Sequence, residues 1–330
     1  MNQISIFKKE LSLIIDEVKI FNPISIVLYG GYSRDEGGII KKNKTKYPYN
    51  DFDILLIVRK TIKNSQLVKI EKELKKKINI KWIDFTQKTI KEISRPGGTV
   101  FYYDLKYYGK VLYGNKDVLN HIPEINNCKI DKIEIDKLFS TRIWTFLGCF
   151  PEKSFTTING EESRFFKNQM SKAILCLVDV FLIDKRIYTT LYSDKIPLIK
   201  KHHKDLYELS KWAYKEKLTP SSGNMSGEEV RVFHLKVINI YFEVMISIMS
   251  KTKTFPGLIN HFRFSTEENI KNIYYKVFYG RSYLKKKLCM IYLTYSFIDN
   301  KYFKVAQKLH GQISGLDNVK SFDVIRKDLI

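Results

Sequence analysis

Two short stretches decide how this sequence folds. Residues 24–34 read Ile-Ser-Ile-Val-Leu-Tyr-Gly-Gly-Tyr-Ser-Arg, and residues 50–58 read Asn-Asp-Phe-Asp-Ile-Leu-Leu-Ile-Val. Short apolar runs bounded by glycine or polar residues are typical of strands that are buried on both faces. The sequence therefore predicts strands over residues 24–29 and 51–58, separated by a polar loop that is rich in glycine and lysine.

The segments around these strands predict further elements of an α+β fold. Apolar residues recur at three- and four-residue spacings over residues 3–20, which predicts an amphipathic helix, and Ser65 can cap a second helix. Alternating apolar residues then predict a third strand over residues 78–85, ending at Asp84 and Phe85. A fourth short strand is expected over residues 110–113.

The rest of the chain has a different character. Helical patterns extend over residues 137–146, 164–183, 203–215 and 228–249. We therefore expect two domains, one with a small mixed sheet over residues 1–125 and an all-helical one over residues 126–330.

Three aspartates stand at the ends of the predicted strands. Asp51 and Asp53 are two positions apart, so their side chains project from the same face of a strand. Asp84 closes the next predicted strand, which can pair beside the first. Carboxylate oxygens are preferred ligands of Mg²⁺, and two such ions can activate an acceptor oxygen and neutralise a triphosphate. We expect Asp51, Asp53 and Asp84 to hold two Mg²⁺ ions, for which Mn²⁺ can substitute.

The glycine pair supplies the features of a phosphate site. Gly30 and Gly31 let backbone amides approach phosphate oxygens without an intervening Cβ. Ser33 and Arg34 follow with a hydroxyl and a guanidinium. In the helical half, Lys172 lies on a polar helix stripe, where it is a further candidate for contact with a triphosphate.

A second nucleotide motif is not supported. Residues 38–45 differ from a P-loop by one substitution, since Asn43 stands where the second glycine must permit a tight turn. No apolar strand immediately precedes them, as a P-loop requires.

Together the N-terminal segments resemble the nucleotidyltransferase superfamily, which includes DNA polymerase beta, aminoglycoside nucleotidyltransferases and the minimal nucleotidyltransferases of prokaryotes. The superfamily pattern is a hydrophobic residue with Gly-Gly or Gly-Ser, then Asp-x-Asp, then an acidic residue on a later strand. Residues 28–31, 50–53 and 83–85 match these elements in order. Gly31 replaces the commoner serine, and the loop over residues 37–49 is longer than usual.

The resemblance implies a polymerase-beta-like nucleotidyltransferase domain, followed by a helical domain that forms the other wall of the cleft. It implies transfer of a nucleoside monophosphate from an NTP to an acceptor hydroxyl or phosphate, with release of pyrophosphate. In this scheme Asp84 also accepts the acceptor proton. A small-molecule acceptor is favoured, and the alternatives are an RNA acceptor such as a tRNA end, or a non-catalytic nucleotide-binding protein.

Composition bears on partners and location. The formal net charge of +22 suits RNA, an anionic membrane surface or a triphosphate, although lysine runs are often solvated helix faces. The four cysteines lack zinc-ligand spacing and predict reduced thiols. Charged residues interrupt the N-terminal apolar pattern, unlike in a signal peptide, and residues 237–249 are too short to span a bilayer. We expect a cytoplasmic protein without membrane insertion.

Overall fold

The structure is a computed structural model that describes residues 2–78, 80, 82–149, 156–279, 282–314 and 322–329. The chain divides into two compact units, each built from more than one stretch. The first unit contains Met1–Glu134, Lys185–His202 and Tyr214–Pro220, and the second contains Ile135–Asp184, His203–Ala213 and Ser221–Ile330. The first unit thus includes three stretches of the region predicted to form the helical domain, namely residues 126–134, 185–202 and 214–220.

The first unit contains a four-stranded sheet and a separate hairpin. The strands are β1 (Ser25–Tyr29), β2 (Ile39–Lys42), β3 (Thr45–Pro48), β4 (Phe52–Ile57), β5 (Ile83–Lys88) and β6 (Lys110–Gly114). The order in the sheet is β5-β4-β1-β6. Strands β4 and β5 are parallel, whereas β1 is antiparallel to both β4 and β6. The predicted small mixed sheet is confirmed.

Helices make up most of the remaining structure. In chain order they are α1 (Gln3–Ile6), α2 (Lys8–Val18), α3 (Gly30–Ser33), α4 (Asn64–Lys77), α5 (Ile90–Ile93), α6 (Val100–Tyr108), α7 (Ile133–Gly148), α8 (Gly160–Asp184), α9 (Tyr192–Ile199), α10 (Lys204–Leu218), α11 (Gly227–Met249), α12 (Phe255–Phe264), α13 (Thr266–Tyr279), α14 (Tyr283–Tyr295), α15 (Lys301–Ser314) and α16 (Phe322–Leu329). Four of them, α7, α8, α10 and α11, correspond to the helical patterns predicted from the sequence. The α+β class with an all-helical C-terminal part is confirmed.

The continuous apolar run of β4 is explained by burial on both faces of the sheet. Ile54 and Leu56 pack with residues of α2 and α4 in one core, whereas Leu55 and Ile57 pack with α6 in another, around Leu105. Successive strand residues point to opposite faces, so both alternating sets must be apolar. Burial of each such side chain contributes about 1.5–3 kcal/mol.

The third strand lies later in the sequence than predicted. Alternation over residues 78–82 suggested a strand that ends at Asp84, but β5 begins at Ile83, so Asp84 is its second residue. Asn79 and Lys81, which were part of the predicted strand, lie outside the described residues. The physical reason is that β4 and β5 are parallel, so the crossover through α4 must return the chain to the end of the sheet at which β4 begins before β5 can start.

The predicted loop between the first two strands contains the β2–β3 hairpin instead. Lys41 pairs opposite Lys46, and the turn residues Asn43 and Lys44 have φ values of 48° and 67°. Two consecutive left-handed residues are the signature of a type I′ turn, which matches the twist of a hairpin. Residues 38–45 are therefore hairpin, which rules out the strand–loop–helix arrangement of a P-loop.

One helix in the described part of the chain, α11, is long and apolar enough to cross a membrane. Half of its most apolar window is buried inside the protein, and core helices of soluble proteins meet the same criteria. This helix is weak evidence in either direction, and the absence of membrane insertion stays a prediction.

Candidate active site

The pairing of β4 with β5 places two of the predicted carboxylates side by side. Asp53 and Asp84 are register partners on these parallel strands. Neighbouring strands lie about 4.8 Å apart and paired residues point to the same face, so both side chains leave the sheet together. Asp51 precedes β4 and stands two residues before Asp53, which puts it on the same side.

The charges of these residues act on one another. Burial and the neighbouring charges of Asp51 and Asp84 raise the pKa of Asp53 to about 7. Burial and Asp51 also raise the pKa of Asp84. The three carboxylates therefore form one electrostatically coupled group, in which each negative charge disfavours the others.

Gly30 lies directly against this group. It begins α3 immediately after β1, with a φ of +69° that side-chain-bearing residues rarely adopt. A Cβ at position 30 would overlap Asp53 Oδ2 and lie 2.6 Å from Asp53 Cγ. Glycine is thus required twice here, for the left-handed backbone and for the close approach of the Asp53 carboxylate.

The next residues of the glycine motif have structural partners. A Cβ at Gly31 would meet only the Glu36 carbonyl oxygen and Gly37, at 3.4–3.5 Å, so the close packing belongs to Gly30 alone. The Ser33 hydroxyl donates a hydrogen bond to the Gly30 carbonyl at 2.9 Å. This bond holds the turn closed, and contact of Gly31 and Ser33 with phosphates stays a prediction.

Arg34 is held by carboxylates of the first unit. Its Nη1 donates to Asp104 Oδ2 at 2.6 Å, and its Nε lies 3.7 Å from Glu36 Oε2. Asp104 also accepts from the Tyr188 hydroxyl at 3.3 Å, while Glu36 Oε1 accepts from the Tyr192 amide at 2.8 Å. The segment Lys185–His202 is thereby tied to the glycine turn. This network was not predicted, and the role of Arg34 as a phosphate ligand remains a prediction.

A lysine that the sequence did not single out acts on the carboxylates. Lys217, near the end of α10, opposes the rise in the pKa of Asp53, as Arg34 does. Its Nζ lies 6.0 Å from the centre of the Tyr192 ring. The predicted triphosphate ligand Lys172 lies in the second unit, where its charge opposes the burial that raises the pKa of the Cys149 thiol, and its contact with a triphosphate stays a prediction.

The donor set suits a hard divalent cation. Mg²⁺ prefers oxygen ligands such as these three neighbouring carboxylates. Their negative charges repel one another, and a bound cation would favour their ionised forms. Within the residues that the structure describes, no group of three or more His, Cys, Asp or Glu side chains is already gathered closely enough to hold a metal ion. Joint coordination would thus require the carboxylates to rotate toward a common point.

Comparison with known proteins gives no relative. The chain matches no protein-family model, no curated protein and no solved structure.

Proposed function

We propose that the protein is a metal-dependent nucleotidyltransferase of the polymerase-beta-like type, which moves a nucleoside monophosphate from an NTP to an acceptor hydroxyl or phosphate and releases pyrophosphate. The observation that carries this proposal is the pairing of Asp53 with Asp84 on parallel strands, with Asp51 on the same side and Gly30 packed against the Asp53 carboxylate. The third aspartate in register and the glycine turn packed against Asp53 are what distinguish this Asp-x-Asp motif from an isolated one.

Asp51, Asp53 and Asp84 would hold two Mg²⁺ or Mn²⁺ ions. When bound, such ions supply positive charge to the triphosphate and make an acceptor hydroxyl easier to deprotonate. Asp84 is the candidate proton acceptor, because its side chain is more exposed than that of Asp53 and can therefore be reached by an acceptor hydroxyl.

The glycine turn would bind the phosphates. The backbone at Gly30 and Gly31 has no Cβ to keep an anion away, and it lies beside the carboxylates because Gly30 contacts Asp53. Lys217 is a further candidate phosphate contact, since its charge, like that of Arg34, reaches Asp53. Arg34 would act on the phosphates through the electrostatic attraction of its positive charge, or through guanidinium N–H groups that are not bonded to Asp104 or Glu36. Lys172 stays a candidate phosphate ligand from the sequence alone.

Transfer of radiolabel tests the proposal. The protein is incubated with each α-³²P-labelled NTP, with Mg²⁺ or Mn²⁺, and with either total RNA or a metabolite extract. Wild type should transfer label to an acceptor, and Asp53→Asn should lower the rate by at least about 100-fold, because a metal ligand is lost while the shape is kept. Asp117→Asn, an exposed aspartate of the same unit, is the matched control and should transfer label as wild type does.

Either of two outcomes would contradict the catalytic proposal. Wild type would transfer no label from any NTP to any acceptor, or Asp53→Asn would transfer as much as wild type. Metal-dependent NTP binding without transfer would favour the non-catalytic nucleotide-binding alternative. Cytoplasmic location is expected from the sequence and is independent of these results.

A further inference from the structure

The β2–β3 hairpin has a cationic tip, defined as Lys41, Lys42 and Lys44. All three side chains are exposed. Among the residues that the structure describes, none forms a hydrogen bond or an ion pair with the side chain of any of the three. The sequence from residue 37 to residue 50 contains no aspartate or glutamate. The tip therefore presents positive charges that the hairpin itself does not neutralise.

The base of the hairpin is fixed by buried polar contacts. The Tyr32 hydroxyl donates to the Gly38 carbonyl at 2.8 Å, and the backbone amide of Asn50 donates to the Tyr32 hydroxyl at 3.1 Å. The Gly38 amide donates to Asn50 Oδ1 at 2.8 Å. The Gln3 side chain exchanges two hydrogen bonds of 2.9 Å with the Gly37 backbone. Both arms are thus anchored at one place on the first unit.

That anchoring places the base of the hairpin next to the carboxylates. Asn50 is followed directly by Asp51, so the hairpin leaves the protein at the edge of the candidate site. Each arm has four residues, which span about 14 Å. A nucleic-acid strand carries one charge per about 3.4 Å of helix axis. A strand that ends at Asp51 would therefore reach the cationic tip within its first few nucleotides.

We infer that the cationic tip binds the phosphodiester backbone of a nucleic-acid acceptor, whose end lies at Asp51, Asp53 and Asp84. Its role as acceptor rests on the proposed function, and it departs from the small-molecule acceptor that the sequence favoured. A compact triphosphate is accounted for by the glycine turn, whereas lysines on both faces of a hairpin tip about 14 Å from its anchored base suit an extended polyanion. The net charge of +22 is complementary to such a partner.

The test measures binding of labelled RNA and of DNA of the same sequence, each about 20 nucleotides long, by fluorescence anisotropy over a series of salt concentrations. The tip variant is Lys41→Gln, Lys42→Gln and Lys44→Gln together. The matched control removes the same charge from other exposed lysines of the first unit, by Lys63→Gln, Lys69→Gln and Lys72→Gln.

The tip variant should bind at least about 10-fold more weakly than wild type. Its slope of log K against log salt should be smaller by about 2, since each phosphate contact contributes about 0.7 for a single strand. The control should lose less than about twofold. Tighter binding of RNA supports the proposal with an RNA acceptor, and tighter binding of DNA supports it with a DNA acceptor.

Several results would overturn the inference. The first two are equal nucleic-acid affinity of the tip variant and wild type, and equal losses of affinity in the tip and control variants. The third is binding of wild type to phosphatidylserine vesicles but to neither nucleic acid. The fourth is a tip variant with a raised KM for NTP and an unchanged nucleic-acid affinity. Asp53→Asn separates this inference from the proposed function, because it should lower transfer by at least about 100-fold, while the tip substitutions should weaken nucleic-acid binding by the same factor in Asp53→Asn as in wild type. If the tip variant loses nucleic-acid binding and wild type transfers no label, the proposed enzymatic activity is refuted, whereas the proposed nucleic-acid-binding surface is supported.

Discussion

Replacement of Gly30 by alanine should damage the site more than the fold. The new Cβ would overlap Asp53 Oδ2, and the residue would have to keep a φ of +69°. The left-handed conformation costs alanine about 1–2 kcal/mol. Rotation of the Asp53 side chain can relieve the overlap with Oδ2 and Cγ, and this rotation moves a proposed metal ligand. Asp53 Cβ, 3.1 Å from the new methyl group, stays in tight contact, so the cost of folding is at least that of the backbone conformation.

We therefore expect Gly30→Ala to lower the free energy of unfolding by about 1–2 kcal/mol, measured by urea denaturation. Label transfer should fall by about 100-fold, because displacement of a catalytic group by about 1 Å has effects of that size. Gly31→Ala is the matched control, since its Cβ would make only ordinary contacts at 3.4 Å or more. It should keep the stability and most of the activity.

Two results would refute this reasoning. Full activity of Gly30→Ala would mean that the Asp53 carboxylate does not need its observed position. Equal damage by Gly30→Ala and Gly31→Ala would mean that the whole turn, and not the contact with Asp53, determines the effect.

Two further predictions concern buried ionisable groups. Burial lowers the pKa of His234 from 6.5 to about 4, so its contribution to stability is complete above pH 6.5 and is lost as the pH falls toward 4. From pH 7 to pH 5, urea unfolding of wild type should lose about 2 kcal/mol relative to His234→Gln. The opposing gain from Asp53, whose pKa burial raises to about 7, is common to both proteins, so an equal pH dependence of the two would contradict this assignment. Asp104→Asn should cost about 3 kcal/mol, because it removes the closest carboxylate from the buried Arg34 guanidinium. Asp16→Asn, which breaks an exposed pair, should leave stability essentially unchanged, and similar losses in both variants would refute the role of burial.

The sequence was sufficient where the signal is local. The apolar run of β4 and the three- and four-residue spacings of α8 and α11 predicted these elements, because burial on given faces demands those periods. The placement of Asp51 and Asp53 on one side follows from strand geometry. The expectation that Asp84 lies beside them, through pairing of its strand with the strand of Asp53, was right. Its position at the end of that strand was wrong, because the alternation over residues 78–82 resembles a strand pattern.

Other features depend on tertiary structure and left no local signal. The β2–β3 hairpin has arms of only four residues, and its Asn-Lys turn is not one of the glycine-containing pairs that mark hairpins. Lys217 ends an ordinary amphipathic helix, and its influence on Asp53 arises because Tyr214–Pro220 folds into the first unit. The ion pair of Arg34 with Asp104 joins residues 70 positions apart. No spacing in the sequence could have revealed it.

Metal binding by the paired carboxylates tests the central claim most directly. Wild type, Asp84→Asn and the control Asp117→Asn are titrated with Mn²⁺, with and without NTP, and free Mn²⁺ is followed by electron paramagnetic resonance. Wild type and the control should bind Mn²⁺ equally, and Asp84→Asn should bind at least about 10-fold more weakly because a carboxylate ligand is lost. Equal affinity in Asp84→Asn and wild type, or no binding by wild type, would contradict the account.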